Sequence, residues 1–143
     1  MWQKNAFDKF KFNETLHYAE EWDLYNRLLI NNFEGYKIEN ILYFNRKHSN
    51  SNTASYYNKN SERIQSKINA CVSLVIALDQ ENLLNLSYVK FFLGIRKKSE
   101  SKPIYKALLK SKSLKLREKL YVNFRYTFLP LLKSLYLLKK LKY

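Results

Sequence analysis

The sequence predicts an α+β fold that is predominantly helical, on three observations. Only two Gly and two Pro occur in 143 residues, too few for the tight turns of a sheet-rich fold. Apolar residues recur at steps of three and four through most of the chain after residue 56. One β-rich apolar run, Ile38, Ile41, Leu42, Tyr43 and Phe44, predicts a strand within 36–46. The length suits one domain with a modest core. An apolar fraction of 46% argues against global disorder.

In chain order, Ala19, Trp22, Tyr25, Leu28 and Leu29 share one helical face, which predicts a helix over 20–32. Glu20, Glu21 and Asp23 stand in its first turn, where acids complement the helix dipole. Asn31, Asn32 and Gly35 mark its end. The tract HSNSNTAS, 48–55, reads as a loop. Ile64, Ile68, Cys71, Val72, Val75 and Leu78 predict a helix over 57–79. A further helix is expected over 82–97, with Leu83, Leu86, Val89, Phe92 and Leu93 inward. Pro103 can open a helix over 104–111. Ser113 is the expected cap of one that begins at Leu114, and Pro130 should bend or interrupt it. The chain divides into 1–55 and a helical part, 56–143.

Cys71 is the single cysteine, so neither an intramolecular disulfide nor a Cys-based zinc site can form; its place on the inward stripe predicts plain core. A reducing cytoplasm suits this usage. The opening MWQKNAFDKFKF lacks the apolar core of a signal peptide. No run of about 18 apolar residues occurs, so no transmembrane helix is expected.

Charge is unevenly spread. Residues 101–143 carry twelve basic groups and one acid, against a net charge of +14 for the whole chain. Such a segment seeks phosphate, on anionic lipid or on nucleic acid. From Leu131 onward, Leu131, Leu132, Leu135, Leu138 and Leu141 interleave with Lys133, Lys139, Lys140 and Lys142. That helix can pack on its own domain with solvated lysines, or lie in an anionic bilayer surface, which makes 113–143 a candidate membrane contact. No RNA- or DNA-binding motif is present, so nucleic acid is the least favoured partner.

The ordered set FDKFKFNETL, AEEWDLYNRL, Gly35 and ILYFNRKH resembles the C-terminal end of the catalytic domain of family 2 glycosyltransferases of the GT-A fold. The resemblance covers residues 7–55 and implies an acceptor-side segment followed by a helical extension. It implies inverting transfer of a sugar from a nucleotide-sugar donor to a hydroxyl on a glycan or lipid-linked acceptor, in bacterial surface polysaccharide synthesis. The second acid of the pair, Glu21, would then be the base that takes the acceptor's proton. The family more often has Asp there, and Glu carries its carboxylate about 1.5 Å further. Glu20 would orient the site or bind acceptor. Trp22 would bind acceptor by stacking on a sugar face, although its place on the apolar stripe favours packing.

By the same resemblance Arg46 and His48 would face the departing diphosphate, the guanidinium fork of Arg46 matching phosphate oxygens. His48 is also a candidate contact for the divalent metal, Mg or Mn, expected in the full enzyme. The sequence holds no Asp-x-Asp element for that metal and no Q-x-x-R-W element of processive synthases. The resemblance therefore implies a chain without the nucleotide-binding half and inactive alone, cytoplasmic and peripheral at the inner face of the membrane. The rival expectation is a non-enzymatic basic helical module on anionic membrane or nucleic acid. On it, Glu20, Glu21 and Asp23 only complement a dipole, and Arg46 and His48 are surface residues.

Overall fold

The computed structural model describes residues 4–36, 39, 51–95 and 101–128. Seven α-helices are described: α1 Lys4–Lys9, α2 Glu20–Ile30, α3 Asn52–Tyr57, α4 Ser61–Gln80, α5 Leu86–Gly94, α6 Lys102–Lys110 and α7 Leu116–Asn123. A π turn, Phe124–Phe128, follows α7. The described residues are thus predominantly helical, and no strand is found among them. The strand expected within 36–46 lies outside them, apart from Tyr36 and Glu39. The chain forms two compact units, Met1–Leu74 and Val75–Tyr143, and the division falls inside α4.

In the first unit Ala6, Leu24 and Leu28 make a fully buried cluster, with Phe7, Phe10 and Phe33 packed on it. The face of α2 differs from the expected one. Asp23, Leu24 and Leu28 are buried, while Tyr25 and Leu29 are exposed. The reason is Asp23, whose Oδ2 accepts from Arg27 Nε at 2.9 Å one turn on. Pairing lets a carboxylate go inside, so the stripe rotates to include it.

Helix ends explain how so few glycines suffice. The N–H of Phe33 donates to Leu28 O and that of Asn32 to Leu29 O, with Asn32 left-handed at φ 62°. Lys59 and Asn82 close α3 and α4 in the same way, at φ 64° and 55°. All three are Schellman endings with a non-glycine in the left-handed position, and asparagine tolerates it best.

Two local expectations are corrected. Part of the tract read as a loop is α3, because the hydroxyl of Ser51 caps it by accepting from Ala54 N at 3.1 Å. Residues 82–85 are not helical: Asn82 ends α4, and Asn85 caps α5 by accepting from Ser87 N at 2.9 Å. Leu84 is buried there and Leu83, expected inward, is exposed.

In the second unit Val75, Leu78, Leu84, Val89, Phe92, Ile104, Leu108, Leu114 and Val122 are buried. Pro103 stands in the first turn of α6, as expected. Ser113 does not cap α7. The helix begins two residues later, and Glu118 in its first turn accepts from Lys115 N at 2.8 Å, half of a capping box. Ser113 is instead held by Asp79, to which its hydroxyl donates at 2.6 Å. No helix among the described residues is long and apolar enough to cross a membrane. Pro130 and the amphipathic helix expected from Leu131 onward lie outside the described residues.

Candidate functional site

The acidic pair and the tryptophan come together at the start of α2. Backbone geometry sets this up. Ala19 is left-handed at φ 69°, an unusual conformation for a residue with a Cβ. Its carbonyl accepts from Asp23 N at 2.9 Å, which starts the helix. The preceding residue is clamped to α4. Ser66 Oγ accepts from Tyr18 N at 2.9 Å and donates to Tyr18 O at 2.7 Å. Arg63 donates to the carbonyl of His17. The Tyr18 ring stacks on Tyr56 of α3 with centroids 4.6 Å apart. His17 lies 3.7 Å from Glu62 in an exposed pair.

These ties shape an open cleft of about 360 Å³ within the first unit. Glu20, Glu21 and Trp22 line one side, with Tyr18 and Ala19 beside them. Asn52 and Thr53, at the start of α3, and Lys67 of α4 line the rest. Glu21 is exposed, while Glu20 and Trp22 are half-buried. Trp22 is therefore a wall of the cleft and not part of the buried cluster that its spacing favoured.

Lys67 Nζ sits 3.4 Å from the centroid of the Trp22 ring, a cation–π contact that covers one ring face. Burial pushes the pKa of Lys67 down, with Cys71 opposing the shift. Cys71 itself is fully buried, as its stripe position predicts. Burial pushes its thiol up to about 11, against the pull of Lys67, so at neutral pH it is an inert core group. Burial, with Tyr56, Tyr57 and Glu20 nearby, also raises the pKa of Tyr18, which keeps its phenol protonated.

The cleft thus offers two carboxylates, an ammonium, an amide, hydroxyls and an aromatic wall. This is a set suited to a polyhydroxylated ligand, whose hydroxyls donate to carboxylates while its apolar faces meet rings. No group of three or more His, Cys, Asp or Glu side chains able to hold an ion occurs among the described residues. Arg46 and His48 lie outside the described residues.

Sequence reasoning missed Asn52, Thr53 and Lys67. One signal existed for Lys67: it stands beside Ile64, Ile68 and Cys71 at helical spacing, a cation at the edge of an apolar stripe. For Asn52 and Thr53 the signal was Ser51 as an N-cap. No protein-family model, curated protein or solved structure matches the chain.

Proposed function

We propose that the chain is the acceptor-binding part of an inverting glycosyltransferase of family 2 type. The observation that supports it is the convergence of Glu20, Glu21 and Trp22 on one open cleft. In this reading the acceptor sugar lies against Trp22 and Tyr18, and its hydroxyls bond to Asn52, Thr53 and Glu20. Glu21, exposed at the cleft, accepts the proton of the attacking hydroxyl as that oxygen bonds to the anomeric carbon. The nucleoside diphosphate leaves from the opposite face with the electron pair of the broken bond. Donor binding belongs to residues other than the described ones. Arg46 and His48 are the proposed diphosphate contacts in this chain, and the site of action is the cytoplasmic face of the membrane.

The reading is tested by saccharide titration followed by calorimetry. Binding of a bacterial surface oligosaccharide is expected to weaken about tenfold in Trp22→Ala. Glu21→Gln should keep binding. With a donor-binding domain supplied, it should lower kcat by about 10²–10⁴-fold. Full turnover by Glu21→Gln, or oligosaccharide binding indifferent to Trp22→Ala, contradicts the proposal.

A further inference from the structure

A second surface, in the other unit, carries an inference independent of the glycosyltransferase reading. Along α7 and the π turn, Leu116, Leu120, Phe124 and Phe128 follow one another at steps of four. They are exposed to 74%, 59%, 47% and 58%. In an α-helix a step of four overshoots a full turn by about 40°, so such a stripe drifts around the axis. The π turn takes more residues per rotation and counters the drift. The rings of Phe124 and Phe128 accordingly lie near-parallel, at 18°, with centroids 6.3 Å apart.

The opposite side of the helix is anchored. Val122 is fully buried. Tyr105 of α6 donates its hydroxyl to Asn123 Oδ1 at 2.7 Å and stacks on Tyr126 with centroids 3.9 Å apart. The apolar stripe is therefore held outward and is not a fraying end.

Its borders are basic. Lys115, Arg117, Lys119 and Arg125 belong to the same segment. Its one acid, Glu118, is engaged with the Lys115 N–H. On the neighbouring α6 and its following loop, Lys102, Lys106, Lys110 and Lys112 are exposed.

We infer that this face docks on an anionic lipid bilayer, with Leu116, Leu120, Phe124 and Phe128 in the headgroup–acyl boundary and the flanking cations on lipid phosphates. Charge complementarity selects the occupant. A second copy would bring like charges together. A nucleic acid would satisfy the cations but leave the two leucines without bases to stack on. A bilayer takes both groups at once. The segment is about 18 Å long, so it lies in the plane of a roughly 30 Å hydrocarbon core and does not span it.

The experiment is sedimentation of the full chain with phosphatidylcholine vesicles, with and without phosphatidylglycerol, at low and high salt. Binding is expected only with phosphatidylglycerol and is weakened by salt. Leu120→Ser with Phe124→Ser leaves the net charge unchanged and, at exposed positions, the fold intact by circular dichroism. It should lower partitioning about tenfold. Arg117→Glu with Arg125→Glu should lower it at least as much. The inference is overturned if the serine variant partitions like the parent, or if neutral vesicles bind equally well. It is also overturned if the same serine changes abolish self-association or single-stranded RNA binding in a chain that ignores vesicles.

Discussion

Arg27→Ala is expected to destabilise the first unit by about 3–5 kcal/mol, because it leaves a buried carboxylate without its counter-charge. Asp23 has no exposure, and Arg27 Nε is 2.9 Å from its Oδ2. The other oxygen, Oδ1, has no hydrogen-bond partner among the described residues, so Arg27 is what compensates the charge. Arg27 also donates through Nη2 to the carbonyl of Lys11 at 2.8 Å, tying α2 to the segment before it. Its loss therefore strips the acid and releases that segment together. Joining Arg27→Ala to Asp23→Leu should recover much of the loss, since an apolar replacement of both partners removes the buried charge. Urea unfolding followed by circular dichroism measures both. A loss under about 1 kcal/mol for Arg27→Ala would show that the pair behaves as a surface salt bridge.

Asp79→Ala should cost the second unit about 3 kcal/mol. The loop between α6 and α7 wraps this carboxylate. Ser111 and Ser113 donate their hydroxyls to Oδ1 at 2.5 and 2.6 Å, and the N–H groups of Lys112 and Ser113 add 3.0 and 2.8 Å contacts. Ser111 is buried, so removing the acceptor leaves its hydroxyl only the longer 3.3 Å contact with Ser113 Oγ to donate to. Partial burial pulls the pKa of Asp79 upward, but these hydrogen bonds outweigh it and hold the group well below the usual carboxylate range. The sign follows from linkage. A folded-state pKa below the unfolded value adds stability above the unfolded pKa, near 4, and loses it as pH falls through the folded one. The stability gap between the parent and Asp79→Asn should thus be full at pH 7 and shrink below about pH 4. A gap that stays constant into strong acid contradicts the account.

Legibility in the sequence followed the physics of each element. The helices α2, α4 and α6 were readable because periodic apolar residues, or Pro103 at a first turn, act locally. The start of α3 was hidden because a capping serine and a loop serine look alike in sequence. The rotated face of α2 was hidden because nothing local says that Asp23 is buried against Arg27. Glu20, Glu21 and Trp22 were readable as a motif. Lys67, Asn52 and Thr53 were not, since ties such as that of Ser66 to Tyr18, across 48 residues of chain, shape the cleft and leave no local pattern. The basic, apolar character of the last third was plain. Its described expression is the i, i+4 stripe from Leu116 to Phe128, whose spacing stood in the sequence beside the leucine–lysine pattern further on.

The central claim is that the cleft at the start of α2 receives a sugar hydroxyl. An amide NMR titration of the full chain with an oligosaccharide acceptor tests it most directly. The account predicts saturable shifts at Tyr18, Glu20, Glu21, Asn52, Thr53 and Lys67 and at the Trp22 indole, with the helices from Leu86 onward unmoved. Saturable shifts confined to that second unit, or no response from the cleft residues to any acceptor saccharide, would contradict it.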